Sequence, residues 1–198
     1  MDEEPQPARV GRPVSSPSAR RSRDRRIALV ALELFETRGV GPTTVAVIAS
    51  AANISVRSFW RYFVSKEDAV RPLLEEGLRD ALERLGGVAR GQSFAGAWAD
   101  PSAREGEDVD VVVRLLRLAD REPAINAVWL GVHHDATRSL ASVIARHDDS
   151  SEESLAVRVR AAVLNAALSV AIEYYASQNP PNRSISDVVA EAVHYAVD

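Results

Sequence analysis

Between Thr43 and Lys66 the chain reads TTVAVIASAANISVRSFWRYFVSK. This spacing allows little besides two short helices joined by a tight turn. Thr43 and Thr44 can each accept hydrogen bonds from the free N–H groups that open a helix. Val45, Ile48, Ala49 and Ala52 then recur at i, i+3, i+4 and i+7, one apolar face at helical period. Ala46 and Ser50 take the opposite side and are small enough to admit another backbone or a phosphate. Asn53 follows the last periodic residue, where chains commonly turn left-handed; Gly is preferred there and Asn is the next most tolerant. Ile54 packs inward, and Ser55 caps a second helix from about Val56 to Phe63.

Phe59 and Phe63, four apart, face the first helix. Val56, Arg57, Ser58, Trp60, Arg61 and Tyr62 are left pointing elsewhere. Exposed Trp and Tyr beside two Arg residues are costly in water unless they meet a partner. Spacing alone leaves two readings open. One makes the aromatics satellite core and the Arg residues a solvated face. The other is a helix-turn-helix whose second helix enters a DNA major groove.

The segment resembles the DNA-binding domain of the TetR family of bacterial transcriptional regulators, whose pattern is roughly TTVxxIAxxAGVSxxTFYRYFxSKExL. Thr43-Thr44-Val45, Ile48-Ala49, Ala52, Ser55, Phe59, Arg61-Tyr62-Phe63 and Ser65-Lys66-Glu67 meet it. Asn53, Ile54, Ser58 and Trp60 depart from it, replacing Gly, Val, Thr and Tyr. Trp60 lacks a hydroxyl, so a phosphate contact there needs its indole N–H.

The resemblance implies an all-α protein. Residues 20–66 form a three-helix helix-turn-helix domain, and residues 67–198 a helical bundle for ligand binding and dimerisation. It implies a ligand-responsive regulator, most simply a repressor, that binds a palindromic operator in double-stranded DNA as a homodimer and is released by a small, apolar effector. The DNA-binding set is Thr43, Thr44, Ser55, Val56, Arg57, Ser58, Trp60, Arg61, Tyr62 and Lys66. Arg57 is assigned to a base edge, because Arg reads guanine O6 and N7. Thr44, Tyr62 and Lys66 are assigned mostly to phosphates, which position without reading sequence.

Upstream, Ile27, Val30, Ala31, Leu34 and Phe35 stripe a helix over Arg25–Arg38, closed by Gly39 and blocked by Gly41-Pro42. Residues 1–66 carry 11 basic and 6 acidic side chains, net +5; the remainder carries 13 and 22, net −9. An acidic chain with a basic N-terminal third has a localised nucleic-acid footprint. Residues 1–19, rich in Pro, Ser and charge, read as a disordered arm. Arg20, Arg21, Arg23, Arg25 and Arg26 either follow a DNA backbone or groove or belong to a solvated tail.

Past Lys66 the pattern is helical to the end, with breaks at Gly86-Gly87, residues 88–106, Asp148–Glu153 and Asn179-Pro180-Pro181. The expected helices run over Glu67–Leu85, Asp108–Arg121, Pro123–His147 and Glu153–Ser177, with a last one opening at Ser184 or Ser186. No segment reads as a strand. Leu78, Leu82, Trp98, Leu115, Leu118, Trp129 and His133 are candidate pocket residues, each also readable as ordinary core. Small residues along AAVLNAALSVA suit close helix packing, and by resemblance residues 153–197 are the dimer surface, although a buried core helix fits the same run.

No apolar run approaches the roughly 18 residues that span a membrane; the best, Ile27–Phe35, is short and contains Glu33. Arg20-Arg21 precedes no signal-peptide core. With no Cys in the chain, disulfides and thiol catalysis are excluded, and a cytoplasmic location fits. No GxSxG, HExxH, Walker or dinucleotide Gly pattern occurs, so neither catalysis nor a cofactor is expected. His133-His134-Asp135 looks like a metal patch, but adjacent helical positions diverge by about 100°, and no metal is expected.

Overall fold

A computed structural model describes residues 16–98, 107–178 and 182–197. These residues form eight α-helices and no strand: α1 Pro17–Arg38, α2 Val45–Ala51, α3 Val56–Tyr62, α4 Arg71–Gly86, α5 Glu107–Ala119, α6 Pro123–Asp148, α7 Leu155–Ser177 and α8 Ile185–Val197. Short 3₁₀ turns cover Glu67–Val70 and Phe94–Trp98. The helix expected from Glu67 therefore divides into a 3₁₀ turn and α4.

Local chemistry accounts for most boundaries. Thr44 caps α2, its hydroxyl accepting from Val47 N at 3.3 Å. Ser65 Oγ accepts from Asp68 N at 3.0 Å and starts the turn into α4. Asn53 sits at φ 53°. Its N–H donates to Ser50 O at 3.1 Å, and the Ile54 N–H donates to Ala49 O at 2.9 Å, the paired bonds of a Schellman ending. Gly39, at φ 86°, ends α1.

The start of α1 corrects the sequence expectation. The helix opens at Pro17, not Arg25, because Ser16 Oγ accepts from Ala19 N at 3.2 Å and Pro17 sits in the first turn, where its missing N–H has no cost. Residues 17–19 are thus helical rather than part of an arm; residues 1–15 of that arm lie outside the described residues. Break residues 99–106 and 179–181 also lie outside them.

Two apolar clusters fill the interior. The first joins Ile27, Leu32, Phe35, Ile48, Phe59 and Phe63 to Leu74, Leu115, Ile125 and Trp129, so it runs without a gap from α1–α3 into α4–α6. The second gathers the C-terminal half of α6 with α7, α8 and the Phe94–Trp98 turn. Two pairs bridge the same join, Arg25 with Glu76 at 2.8 Å and Arg114 with Glu36 at 3.0 Å, while Arg71 with Asp135 at 3.5 Å ties α4 to α6.

One expectation about membranes needs revision. The 23-residue α7 is long and apolar enough to cross a bilayer by length and composition alone, and 28% of its most apolar window is buried. Its Ala, Val and Leu outweigh the scattered Arg158, Arg160 and Asn165 that break the run in the sequence.

Candidate nucleic-acid interface

The second short helix is held from below. Phe59 is fully buried and Phe63 nearly so, with ring centroids 5.1 Å apart. Ser55 Oγ accepts from Ser58 N at 3.0 Å and donates to Ser58 Oγ at 2.9 Å, fixing the first turn of α3. Arg26 of α1 reaches across to donate to Ala52 O at 2.6 Å, closing the end of α2. With one side of α3 anchored, Val56, Arg57, Trp60 and Arg61 share the outward side at i, i+1, i+4 and i+5. Trp60 is 53% exposed and Val56 43%.

Arg57 is exposed and makes no hydrogen bond or ion pair among the described residues. Arg61 is differently placed. Its Nη2 donates to the Tyr62 hydroxyl at 2.6 Å, and the Arg23 guanidinium lies 3.8 Å over the Tyr62 ring centroid. The hydrogen bond from Arg61, with the nearby positive charge of Arg23, holds the Tyr62 hydroxyl below its usual pKa. Two cations on one ring keep this aromatic in place.

Thr44, Ser55, Val56, Arg57, Trp60 and Arg61 are exposed, and Ser58 and Tyr62 are half-buried. Two of the expected residues sit elsewhere. Thr43 is 1% exposed, its hydroxyl donating to Gly39 O at 2.7 Å, so it is a strut under the end of α1. Lys66 points its Nζ into a nest of carbonyls, at 2.6 Å from Val40 O, 3.0 Å from Thr43 O and 3.1 Å from Gly41 O. Its three donors are committed, leaving none for a phosphate in this geometry. The Arg-rich stretch is likewise engaged in part, since Arg23, Arg25 and Arg26 all contact neighbouring elements.

A second candidate site lies among α4, α5, α6, α7 and α8, where a cavity of about 160 Å³ opens. Leu78, Trp98, Trp129 and His133 line it as expected. Leu115 and Leu118 do not, because they turn into the core shared with α1; Leu82 instead faces a shallow groove with Ser139 and Val143. Sequence reasoning missed Val109, Val112, Leu168, Ile172 and Val189. Val109 and Val112, three apart on α5, carry a helical-period signal, whereas Leu168, Ile172 and Val189 lie on the helices that the resemblance assigns to dimerisation. His133 turns inward while Asp135 pairs with Arg71, so the adjacent His and Asp residues do not converge. Among the described residues, no three His, Cys, Asp or Glu side chains are grouped to hold a metal.

Comparison with known proteins agrees with this geometry. Residues 27–71 match the model of the bacterial regulatory proteins of the tetR family. The chain is 35% identical over 139 residues to the HTH-type transcriptional regulator TcmR of Streptomyces glaucescens, across 65% of this chain and 61% of TcmR. It therefore spans about three-fifths of that relative's length. FadR of Thermus thermophilus, a TetR-family repressor crystallised with lauroyl-CoA, superposes with a TM-score of 0.51 at 22% identity, over 88% of this chain and 93% of FadR. A transcriptional regulator from Streptomyces coelicolor A3(2) gives 0.55 at 19% identity, over 89% and 99% of the two chains. Likenesses at such identities speak to the fold alone.

Proposed function

Because the chain belongs to the TetR family of bacterial transcriptional regulators, we propose that it is a DNA-binding repressor, acting as a homodimer on a palindromic operator in the cytoplasm and released by a small effector. Residues 20–66 bind DNA, residues 67–198 hold the effector and the partner copy, and the protein is not an enzyme. The observation that carries this reading is the outward side of α3, where an unpartnered Arg57 stands beside a half-exposed Trp60. An unpaired guanidinium can meet a guanine edge bidentately. Val56 and Trp60 supply apolar surface for thymine methyls or sugars, while Thr44, Ser55, Ser58, Arg61 and Tyr62 lie around them for backbone contacts.

Two half-sites one helical turn or more apart require two copies at a fixed spacing. An effector in the cavity would favour a subunit arrangement in which that spacing is lost. This works only if the effector binds the two arrangements with different affinity. The Arg71–Asp135 pair joins α6, which lines the cavity, to the start of α4, and α4 joins α1 through Glu76 and Arg25.

Arg57→Ala tests the assignment. It should weaken binding to the operator by about 1–3 kcal/mol and relax the preference at one base position. The operator is first found by footprinting genomic DNA with the purified protein. Equal losses on operator and on random duplex would remove Arg57 from base reading.

A second reading, a DNA-binding protein without an effector, is favoured by the size of the cavity. Its 160 Å³ falls below the roughly 300–1,000 Å³ of ordinary ligand pockets. The two readings separate on whether any small molecule changes operator affinity.

A further inference from the structure

The cavity walls are mostly apolar, built from side chains such as Leu74, Val112, Trp129, Leu168 and Ile172. Among the polar groups that interrupt those walls, such as Asp80, Arg84 and Ser186, the His133 ring stands out. His133 Nδ1 lies 3.0 Å from Asn165 Oδ1, and the surroundings of Asn165 decide which atom bears the hydrogen. The Asn165 amide nitrogen is 2.8 Å from the His133 carbonyl and 3.2 Å from Thr137 Oγ1. A carbonyl only accepts, so the amide nitrogen belongs on that side and the amide oxygen faces the imidazole. Nδ1 therefore donates. Burial holds the imidazole below its ordinary pKa, so the ring is neutral at pH 7 and Nε2 carries a lone pair.

Nε2 has no partner among the described residues. It is not sealed away, since every fully buried side-chain nitrogen and oxygen there is partnered. It is an open acceptor on a residue that lines the cavity. The charged lining residues Asp80 and Arg84 are one of each sign, four apart on α4, and leave no net charge to select an ionised ligand. In volume the space is close to one that holds a single aromatic ring, about 150 Å³.

Resting on the reading of this cavity as the effector site, the geometry points to an uncharged effector whose compact apolar ring packs against Trp129 and whose hydroxyl donates to His133 Nε2. A hydroxyl is selected because the acceptor needs a donor. An ether of the same shape cannot supply one.

The test uses the full-length protein and three single-ring probes: 4-methylphenol, toluene and 4-methylanisole. Calorimetry or ligand-observed NMR should show 4-methylphenol binding about five- to tenfold more tightly than the other two, the scale of one neutral hydrogen bond. His133→Phe should abolish that preference while toluene still binds. In the wild type, the ¹⁵N resonance of His133 Nε2 should shift with 4-methylphenol and not with toluene, which keeps the test valid if the variant does not fold. Equal binding of all three probes overturns the hydroxyl assignment and leaves the cavity reading standing. A preference that survives in His133→Phe also overturns it, placing the contact on another group such as Asp80. Binding by none of the probes overturns both.

Discussion

Lys66 and Arg57 are both cations within the helix-turn-helix segment, yet they stand in opposite situations. Arg57 has no partner and faces solvent. Lys66 donates to three carbonyls at the end of the α1–α2 connection, and its side chain is 22% exposed. Those oxygens belong to Val40, Gly41 and Thr43, so the ammonium gathers a loop that would otherwise present like dipoles to one another. Hydrogen bonds to a charged group contribute more than neutral ones, and orphaning the carbonyls has its own cost. Lys66→Met should therefore lower the unfolding free energy by about 1–3 kcal/mol in urea denaturation. The salt dependence of DNA binding should change by much less than the roughly one unit of slope expected of a phosphate contact. A full unit of flattening with unchanged stability would return Lys66 to the DNA backbone. The residue's identity was plain in the sequence, but its direction was not. Spacing assigns a helix face, whereas a carbonyl nest made by a loop 23 to 26 residues away leaves no periodic trace.

At the scale of elements, the turn between α2 and α3 is where the chain departs most from the family's pattern and where that departure has a measurable consequence. Asn53 holds φ at 53°, a conformation that costs an ordinary L-residue about 1–2 kcal/mol and Asn somewhat less. Gly removes that strain but widens the unfolded ensemble by about 0.4–1 kcal/mol. The net expectation for Asn53→Gly is a gain of about 0.5 kcal/mol, and for Asn53→Ala a loss of about 1 kcal/mol. Thermal melts of both variants decide this; a clear loss in the Gly variant would mean that the Asn53 side chain does more than tolerate the turn. Such features were legible because they are local. Thr44, Ser55 and Ser65 cap the elements they precede, and Asn53 ends one, through groups no more than four residues away. The first turns of α1 were not legible, since residues 16–22 are exposed throughout and carry no apolar rhythm. The cavity was half legible for a related reason. Helical period places Leu115 and Leu118 inward as surely as Leu78 and Trp129, but it cannot tell which of two interior spaces an inward side chain meets.

For the whole molecule, the unresolved burial is that of α7. Its inner side chains Val157, Ala161, Leu164, Leu168 and Ala171 pack in the second cluster, while Leu155, Val159, Val163, Val170 and Tyr174 remain exposed along the other side. Their spacing of four, four, seven and four residues keeps them in one stripe, with Ala162 and Ala166 exposed between them. A contiguous apolar patch of this kind on a water-facing helix marks an interaction surface, and in the proposed dimer the second copy covers it. Val170, 61% exposed in the single chain, can be replaced by Glu without disturbing the subunit's own core. In a two-fold interface every substitution occurs twice, so Val170→Glu brings in two carboxylates that must be desolvated together. Dimer affinity should fall by about a hundredfold or more, which corresponds to about 3 kcal/mol. Light scattering coupled to size exclusion should show monomers at micromolar concentration with unchanged helicity by circular dichroism. Operator binding should then lose its dependence on both half-sites, since two recognition helices would no longer arrive at a fixed separation. A Val170→Glu protein that remains dimeric would move the partner surface off this side of α7, and with it the proposal that subunit spacing is what an effector controls.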